Sequence, residues 1–450
     1  MKPNIIHITF DCVRPDHFGI SGYRKNTTPF LDTLARNGRW YRRAYATGPG
    51  SSVSFVGMFT STYPLDHGGY SRIDRPRVMF PELLQAEGYT TLGIHSSPYF
   101  SEYFGYNRGW DVFRYLTYFR HRGGETSPGL RRGTVKAQIL KKTAAGHRWL
   151  RAHVPPLAVI ARVLDRLLLT IRKVIKDILH FTPAIYVGEE VTAETEKLLE
   201  GIPQKPVYLW VHYLDAHAPY GLFYRRKRGL IKKVQFHLVD ILLFFFSPFP
   251  SVSKLFAPLY VAMSDDSLRH IDESVQKLFA TLTKRGILND DAVVIMHADH
   301  GEDFYEHGTF GHEQRLYNVN IRVPLMLYAP KRFSPETIET PVSLVDIAPT
   351  ILDLAGIAPP DVYKGKSLLP GAGRNVVIQA SECAGNLTDN KFTGIAIVSG
   401  GYKFIQWKGE RHLFELSDEA EKDDLFAARR DIAEKLEREA MKYAPTEPLR

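Results

Sequence analysis

Three acidic residues each follow a predicted strand, and this pattern constrains the fold more than any other feature of the chain. Asp11, Asp215 and Asp299 come at the ends of apolar, β-rich runs that lie far apart in the sequence. Helical segments separate these runs, and alternating strands and helices predict an α/β fold with a doubly wound, mostly parallel sheet. Such sheets bind ligands at the carboxyl ends of their strands. We therefore expect the three carboxylates to converge on one site, although an acid at any one strand end can also cap a helix.

The segments around these acids fit the same interpretation. Apolar, β-rich runs predict strands at 4–11, 90–95, 207–213, 292–297 and 324–328. Helical patterns cover 28–38 and 80–89, and a further helix begins near Ser51. The helix at 28–38 has a threonine at its start and a glycine at its end, which are common helix boundaries.

Composition excludes several classes of protein. A chain of 450 residues with 44% hydrophobic residues can form one large domain with an appended subdomain. The only cysteines are Cys12 and Cys383, so a secreted disulfide scaffold and a Cys-x-x-Cys zinc site are both excluded. No run reaches the roughly 18 to 20 apolar residues that span a bilayer. The apolar run 5–10 is too short for a signal peptide, so the sequence predicts a cytoplasmic protein.

The formal net charge of +9 is concentrated in the middle of the chain. The segment 121–182 contains a basic amphipathic helix, and a second apolar segment flanked by basic residues lies near 222–256. Two interpretations stay open: a lid that packs on the rest of the protein, or a peripheral patch on the anionic inner face of a membrane. Nothing in the sequence resembles a motif that reads nucleic acid, so we do not expect nucleic acid as a partner.

Two loops after predicted strands carry groups suited to metal binding or proton transfer. Aspartate and histidine occur together in both loops: Asp299, His300 and His312 in the first, and His212, Asp215 and His217 in the second. Neutral histidine binds zinc or manganese, and it also serves as a general acid near neutral pH. A polar loop with purely structural histidines remains the alternative for each.

A third candidate group is Ser51, which follows two glycines at the start of a predicted helix. A hydroxyl at a helix N-terminus is most often a cap. It can also be a nucleophile, placed where backbone N–H groups and the helix dipole stabilise an anion. Its position alone does not choose between these roles.

A set of ordered motifs resembles the sulfatase family of the alkaline phosphatase superfamily. The motifs are 10–17, 26–31, the helix from Ser51 to the stretch 59–64, 212–220, 298–302, 322–325, 342–357, 365–369, 402–405 and 413–425. The resemblance implies a sulfatase-like catalytic domain at 1–120 and 183–370, with 121–182 as an insert. It also implies a small C-terminal α+β subdomain at 371–450.

Carried over to this sequence, the resemblance implies roles for particular residues. Metal ligands would be Asp11, Asp299 and His300, and the catalytic groups would be the nucleophile Ser51 together with His217 and His312, which hold the ester anion or protonate the leaving oxygen. A second metal or the substrate anion would contact Asp215, His212 and Arg14. Cys12 stands where many sulfatases have a further acidic ligand, which leaves that ligand unassigned.

Two departures from the family pattern bear on the chemistry. Common sulfatases convert a Cys or Ser to formylglycine within a Cys/Ser-x-Pro-x-Arg motif, whereas residues 51–55 here lack both the proline and the arginine. The sequence therefore predicts an unmodified serine, activated by a divalent metal. His300 stands where many calcium sulfatases have an amide, which favours Mn or Zn over Ca.

Three hypotheses about function follow. The first is a metal-dependent hydrolase that cleaves sulfate or phosphate mono- or diesters through Ser51. The second is a membrane-associated transferase that moves a phospho-alcohol such as phosphoglycerol or phosphoethanolamine between lipids or glycans. The third is an inactive homologue that only binds anions. The sequence does not indicate an oligomeric state.

Overall fold

The structure is a computed structural model of the chain, and it describes residues 2–116, 186–202, 205–218, 220, 254–312, 315–370, 373–383 and 390–446. The predicted basic insert at 121–182 and most of the apolar segment near 222–256 lie outside these residues. Their two proposed roles therefore stay predictions. Within the described ranges, no helix combines the length and the hydropathy that crossing a bilayer requires.

The described residues alternate strands and helices along most of the chain. The strands are β1 Ile5–Phe10, β2 Arg39–Tyr41, β3 Ala44–Tyr45, β4 Thr90–His95, β5 Val112–Tyr115, β6 Val207–Tyr213, β7 Val293–Ala298, β8 Asp303–Phe304, β9 Phe310–Gly311, β10 Arg322–Val323, β11 Leu325–Tyr328, β12 Glu336–Ile338, β13 Val342–Ser343, β14 Val376–Cys383, β15 Asn390–Ser399, β16 Tyr402–Trp407 and β17 Glu410–Glu415. The helices are α1 Pro29–Arg36, α2 Ser51–Thr60, α3 Phe80–Ala86, α4 Gly188–Leu198, α5 Ala257–Lys284, α6 Asn318–Ile321, α7 Ile347–Ala355 and α8 Arg430–Met441.

The central sheet has eight strands in the order β12-β2-β11-β7-β1-β6-β4-β5. The run from β7 to β5 is parallel throughout, while β11 pairs antiparallel with both β7 and β2. The predicted α/β class with a mostly parallel sheet is confirmed. Strands β1, β6 and β7 are buried on both faces, as expected for a sheet covered by helices.

Buried polar residues link the three central strands at mid-length. His7 of β1 pairs through Nε2 with His297 Nε2 of β7, and through Nδ1 with the Tyr208 hydroxyl of β6, both at 2.8 Å. Trp210 donates its indole N–H to the Thr9 hydroxyl at 3.1 Å. Hydrogen bonds between side chains therefore support the strand order that brings β1 between β6 and β7.

The C-terminal part of the chain forms an antiparallel sheet in the order β14-β15-β16-β17. Helix α8 packs on this sheet with one face, because Ala433, Leu436 and Ala440 are buried in a cluster with Ile395 and Phe404. An α+β arrangement in this part matches the predicted subdomain. The predicted domain boundaries themselves stay predictions.

Candidate active site

Strand register brings the acidic residues together at one edge of the central sheet. Phe10 is aligned with Tyr213 on one side and with Ala298 on the other, so β1, β6 and β7 end at the same level. Asp11 and Asp299 are the next residues of their strands and are both about 1% exposed. The backbone N–H of Asp299 donates to the Phe10 carbonyl at 3.0 Å, which holds the two strand ends side by side.

His300 completes a compact group with these two carboxylates. Its Nε2 lies 3.8 Å from Asp11 Oδ1 and 3.6 Å from Asp299 Oδ2. Its Nδ1 lies 2.8 Å from the Gly301 carbonyl, so Nδ1 carries the proton and Nε2 presents a lone pair to the carboxylates. Gly301 permits a close approach here, since a Cβ at this position would lie 2.1 Å from the Val319 carbonyl oxygen. Lone pairs from three residues therefore face one point.

The electrostatics of this group match a cation site. Burial opposes ionisation of Asp11, but the neighbouring His217, His300 and His212 outweigh it and lower the pKa of Asp11 to about 2. Burial and the charge of Asp11 raise the pKa of Asp299 well above its ordinary value. Burial also lowers the pKa of His300 to about 4, so its ring is neutral and able to bind a metal. A divalent cation would offset the charge repulsion that separates the two carboxyl pKa values.

Ser51 is the first residue of α2 and lies against this group. Its Oγ is 3.3 Å from Asp11 Oδ2 and 3.2 Å from His300 Nε2. Three residues along the helix, Ser54 donates to the Asp299 carbonyl at 2.7 Å and ties α2 to the end of β7. The Ser51 side chain is therefore fixed beside the carboxylates, at a helix N-terminus that favours bound anions.

His312 and His217 line the same site from two loops. The β8–β9 hairpin returns the chain so that the His312 ring lies 4.4 Å from the His300 ring, between ring centres, and 5.5 Å from that of His217. Buried Glu302 accepts a hydrogen bond from His312 Nδ1 at 3.3 Å. Burial opposes a charge on His312, but this hydrogen bond and the charge of Glu302 raise its pKa above the ordinary value. Glu302 therefore favours a proton on His312 at the edge of the site.

The ligand groups overlap. In the described part of the chain, three sets of three ligand atoms lie within 4.8 Å of one another: Asp11, Asp299 and His300; Cys12, His300 and His312; and Asp11, Cys12 and His217. The first set is the one that the sequence predicts as metal ligands. The short distances between its two carboxylates and the His300 Nε2 lone pair fit a metal ion.

The remaining sequence-predicted residues differ in their positions. His212 is fully buried, its Nε2 lies 3.6 Å from Asp11 Oδ2, and neither ring nitrogen has a hydrogen-bond partner among the described residues. Asp215 turns away from the cluster and accepts hydrogen bonds from His270 Nδ1 at 2.8 Å and from the backbone N–H of Gly188 at 2.9 Å. The latter bond is helix capping, the alternative role of a strand-end acid.

The Arg14 side chain also forms its contacts with residues other than the predicted metal ligands. Its guanidinium forms ion pairs with Asp16 and Glu306, both at 2.6 Å, and donates to the Glu302 carbonyl at 3.1 Å. These contacts brace the loop after β7 against the loop after β1. The contacts of Arg14 and Asp215 therefore lie outside the group formed by Asp11, Asp299 and His300.

The structure gives a physical reason for the missing formylglycine motif. The arginine position of that motif is occupied by Phe55, which is fully buried. Its ring packs 4.1 Å from Phe100 and lies edge-on to His212 at 5.3 Å, as measured between ring centres. An arginine at this position would bury a charge in an aromatic cluster, which is costly without a paired anion.

Fold and site together define a protein of the alkaline phosphatase superfamily: a mostly parallel sheet whose strand ends gather acidic and histidine ligands beside a hydroxyl at a helix start. The chain belongs to the sulfatase family. The Sulfatase family profile matches residues 3–357, and the profile of the C-terminal part of N-sulphoglucosamine sulphohydrolase matches residues 305–426.

Individual relatives are distant. Arylsulfatase K of Danio rerio is 30% identical over 179 residues, which cover 37% of this chain and 34% of that protein. The chain aligns with about a third or less of the length of this protein, of arylsulfatase K of Bos taurus and of the extracellular sulfatase SULF-1 homolog of Drosophila melanogaster. The phosphonate monoester hydrolase of Agrobacterium radiobacter has a TM-score of 0.66 at 18% identity, and the match covers 98% of this chain and 95% of that one. A structure solved with its substrate D-glucosamine-2-N,6-O-disulfate also gives 0.66 at 18% identity, over 100% and 99%.

Sequence reasoning missed two residues that shape the site and left a third unassigned. Ser54 anchors α2 to the end of β7, Glu302 orients His312, and the Cys12 thiol, which stands at the position of a further ligand in many sulfatases, lies among the ligand groups. Glu302 stands in the same Asp-His-Gly-Glu run as the predicted ligands, and this proximity was the available signal. For Ser54, the sequence offers no comparable signal of direction.

Proposed function

We propose that this protein hydrolyses sulfate or phosphate esters, with Ser51 as the nucleophile. The observation that carries the proposal is the position of the Ser51 hydroxyl, 3.3 Å from Asp11 and 3.2 Å from His300 at the N-terminus of α2. Membership of the sulfatase family supports ester hydrolysis as the reaction class. The neighbours of known structure include a phosphonate monoester hydrolase and a protein solved with a disulfated sugar as substrate, so this fold accommodates both phosphonate monoesters and sulfated sugars.

A divalent metal would be held by Asp11, Asp299 and His300, whose ligand atoms lie within 4.8 Å of one another. When bound, such a cation supplies positive charge that favours ionisation of a nearby hydroxyl and neutralises an ester oxygen. The chain's own contribution is the fixed geometry of the ligands. The Gly301 carbonyl holds the His300 ring so that Nε2 faces the carboxylates.

The reaction proceeds in two displacements at the sulfur or phosphorus atom. In the first, Ser51 releases its proton to solvent, its Oγ forms a bond to that atom, and the bond to the alcohol oxygen breaks. His312 gives its proton to the departing alcohol, since the hydrogen bond and charge of Glu302 outweigh burial and raise the pKa of this imidazole. In the second, neutral His312 takes a proton from a water molecule whose oxygen attacks the same atom, and the Ser51 oxygen leaves and regains a proton from solvent. His217, whose ring centre is 5.5 Å from that of His312, would hold the ester anion.

The side chains around Ser51 favour phosphorus over sulfur. An unmodified serine forms a covalent ester that must be cleaved by a second displacement, which phospho-serine undergoes and sulfo-serine resists. Val53 and Phe55, both fully buried, occupy the positions of the proline and arginine of the modification motif. We therefore infer that Ser51 stays a serine and that phosphate mono- or diesters are the better substrates.

The transferase hypothesis depended on the segments 121–182 and 222–256, and nearly all of these residues lie outside the described part of the chain. No described contact favours it over hydrolysis. The hypothesis of an inactive homologue is weakened because the Ser51 hydroxyl and the carboxylates of Asp11 and Asp299 each lie within about 4 Å of His300 Nε2.

Replacing Ser51 with alanine tests the proposal. Ser51→Ala should lower kcat by about 10³-fold or more on a nitrophenyl phosphodiester or a nitrophenyl sulfate, whichever the wild type cleaves, because the covalent route is lost. Ser52→Ala, one residue along the same helix, is the matched control and should change kcat by less than about two-fold. Wild-type activity in Ser51→Ala would refute the nucleophile. A mass for the peptide around residue 51 that corresponds to formylglycine would refute the unmodified serine.

A further inference from the structure

Cys12 is a buried thiol in unusual surroundings. Its Sγ lies 3.0 Å from Asp11 Oδ1, 3.7 Å from His312 Nδ1 and 4.0 Å from His300 Nε2. Buried free cysteines generally behave as small hydrophobes and pack among apolar side chains. This thiol instead faces a carboxylate and two imidazoles, all of which are potential metal ligands. Filling space in the core does not account for such a position.

Four distances among Asp11, Cys12, Asp299 and His300 are close to those within one coordination sphere. Zinc binds sulfur at about 2.3 Å and nitrogen or oxygen at about 2.0 to 2.2 Å, so ligand atoms of a tetrahedral site lie roughly 3.3 to 3.8 Å apart. Among Asp11, Cys12, Asp299 and His300, the contacts are 3.0 Å from sulfur to Asp11 Oδ1 and 4.0 Å from sulfur to His300 Nε2. His300 Nε2 lies 3.8 Å from Asp11 Oδ1 and 3.6 Å from Asp299 Oδ2. Small side-chain movements would bring all four atoms onto one ion.

The backbone at Cys12 holds the thiol in this position. Cys12 has a φ of +58°, in the left-handed region that residues other than glycine, asparagine and aspartate rarely adopt. Such conformations are energetically costly, persist only where the surroundings enforce them, and cluster at functional sites. The backbone N–H of Cys12 donates to Asp299 Oδ1 at 3.3 Å, which fixes the turn against the end of β7. Asp11 and Cys12, although consecutive, can therefore both face the site.

We propose that the Cys12 thiolate is the fourth ligand of the metal held by Asp11, Asp299 and His300, and that the site therefore takes a thiolate-binding cation such as Zn²⁺ rather than Ca²⁺. The inference rests on the metal site of the proposed function. Thiolate and imidazole select zinc and its neighbours, whereas a set of oxygen ligands selects calcium, magnesium or manganese. Binding releases the thiol proton to solvent as the sulfur–metal bond forms.

Cobalt and cadmium report a metal–thiolate bond directly, without any substrate. Purified protein is stripped with a chelator and titrated with Co²⁺ or Cd²⁺ while near-ultraviolet absorption is followed. The wild type should develop a thiolate-to-metal charge-transfer band that saturates at one ion per chain. Cys12→Ser should lose this band and bind Zn²⁺ more than about 100-fold more weakly, beyond the 10- to 100-fold typical of residues that only support a ligand. Cys383→Ser, which removes the other cysteine, is the control and should keep the band.

Cys12→Asp gives the opposite test, because aspartate tolerates the left-handed conformation and supplies an oxygen ligand. This variant should lose the cobalt charge-transfer band and gain thermal stabilisation by Ca²⁺, while its stabilisation by Zn²⁺ falls. A saturating band that persists in Cys12→Ser would overturn the proposal, as would stoichiometric Co²⁺ binding by the wild type without a band. Either result leaves the ester hydrolysis of the preceding section open. Loss of hydrolysis in Ser51→Ala with an intact band would conversely leave the thiolate ligand unaffected.

Discussion

The strands β1, β6 and β7 carry two groups of buried polar residues, and the two groups differ in how completely they are hydrogen-bonded. At mid-strand, Tyr208, His7 and His297 are bonded to one another at 2.8 Å, and His297 Nδ1 lies 2.8 Å from the Ala298 carbonyl. At the strand ends, Asp11, Asp299 and His300 approach one another through lone pairs. The two groups are close in sequence, since His7 precedes Asp11 by four residues and His297 precedes His300 by three.

One arrangement of protons satisfies the whole mid-strand group. His297 Nδ1–H donates to the Ala298 carbonyl, so its Nε2 accepts from His7 Nε2–H, and His7 Nδ1 then accepts from the Tyr208 hydroxyl. Both rings are neutral in this arrangement, and burial lowers the pKa of His297 to about 4. A fully bonded polar chain of this kind fixes strand order without a ligand.

The strand ends are less completely bonded. The Ser51 hydroxyl and the Cys12 thiol donate to Asp11, but Asp299 Oδ2 is buried without a hydrogen-bond partner among the described residues and lies 3.6 Å from His300 Nε2. Buried polar groups are normally paired, so this exception is consistent with a bound cation. The comparison teaches that burial alone does not mark a site. The mid-strand group supports the fold, whereas the strand-end group keeps a carboxylate oxygen available for a ligand.

The largest expected effect comes from removing charge at the strand ends. Asp299→Asn should lower kcat by about 10³-fold or more through loss of a metal ligand. Measured with a chelator present, its free energy of unfolding should nevertheless rise by roughly 0.5 to 2 kcal/mol. The sign follows from the pKa of Asp299, which burial and Asp11 raise. A carboxyl group with a raised folded-state pKa loses stability as pH rises, and asparagine removes that loss at neutral pH.

Asp265 provides the matched control for this prediction. It is also a buried aspartate, and burial opposes its ionisation, but hydrogen bonds from His17, Lys25 and Tyr23 outweigh burial and lower the pKa of Asp265. A lowered folded-state pKa contributes stability at neutral pH, so Asp265→Asn should lower the free energy of unfolding in chemical denaturation and leave kcat unchanged. If Asp299→Asn destabilised the metal-free protein as Asp265→Asn does, the strand-end group would not be a site of uncompensated charge.

The second effect is on the pH dependence of stability. Burial lowers the folded-state pKa of His7 and of His297, the latter to about 4, while both have an ordinary value of 6.5 when unfolded. Below pH 6.5 the unfolded chain therefore binds protons that the folded chain does not, and stability falls as pH decreases from about 6.5 to about 4. Each histidine contributes about 1.4 kcal/mol per pH unit in that window.

Urea denaturation of metal-free Asp299→Asn over this pH range measures the effect. In the wild type, the raised pKa of Asp299 makes stability increase as pH falls, which opposes the effect of the two histidines, and this variant removes that contribution. His297→Gln in the same background should reduce the slope by about one proton, that is about 1.4 kcal/mol per pH unit. An unchanged slope in His297→Gln would mean that His297 is protonated in the folded protein, and the neutral mid-strand chain would be wrong.

The fold was largely predictable, because buried strands leave a clear apolar signal. The predicted strand at 90–95 matches β4, and the predicted runs at 207–213 and 292–297 match β6 and β7 to within one residue. Parallel strands that end at one level then bring Asp11 and Asp299 together without further information.

The direction of individual side chains was not predictable. Asp215 follows β6 just as Asp11 follows β1, yet it turns to His270, which lies 55 residues away on α5. Cys12 reaches the site only through its left-handed φ of +58°, and His312 only through the return of the β8–β9 hairpin. These features depend on tertiary contacts that a pattern of residue types along the chain does not contain.

The smallest expected effect isolates one hydrogen bond at mid-strand. Tyr208→Phe removes the hydroxyl that donates to His7 Nδ1 and leaves a buried acceptor without a partner, which should lower the free energy of unfolding by about 1 to 3 kcal/mol. Tyr89→Phe is the control, because the Tyr89 hydroxyl donates to the Pro3 carbonyl at 3.1 Å near the chain's first residues, and we expect a loss below about 1 kcal/mol. Urea denaturation at neutral pH measures both variants, and ester hydrolysis should be unchanged in each. Equal losses in the two variants would show that the hydroxyl of Tyr208 is not part of a continuous polar chain, and the contrast between mid-strand and strand end would then rest on the carboxylates alone.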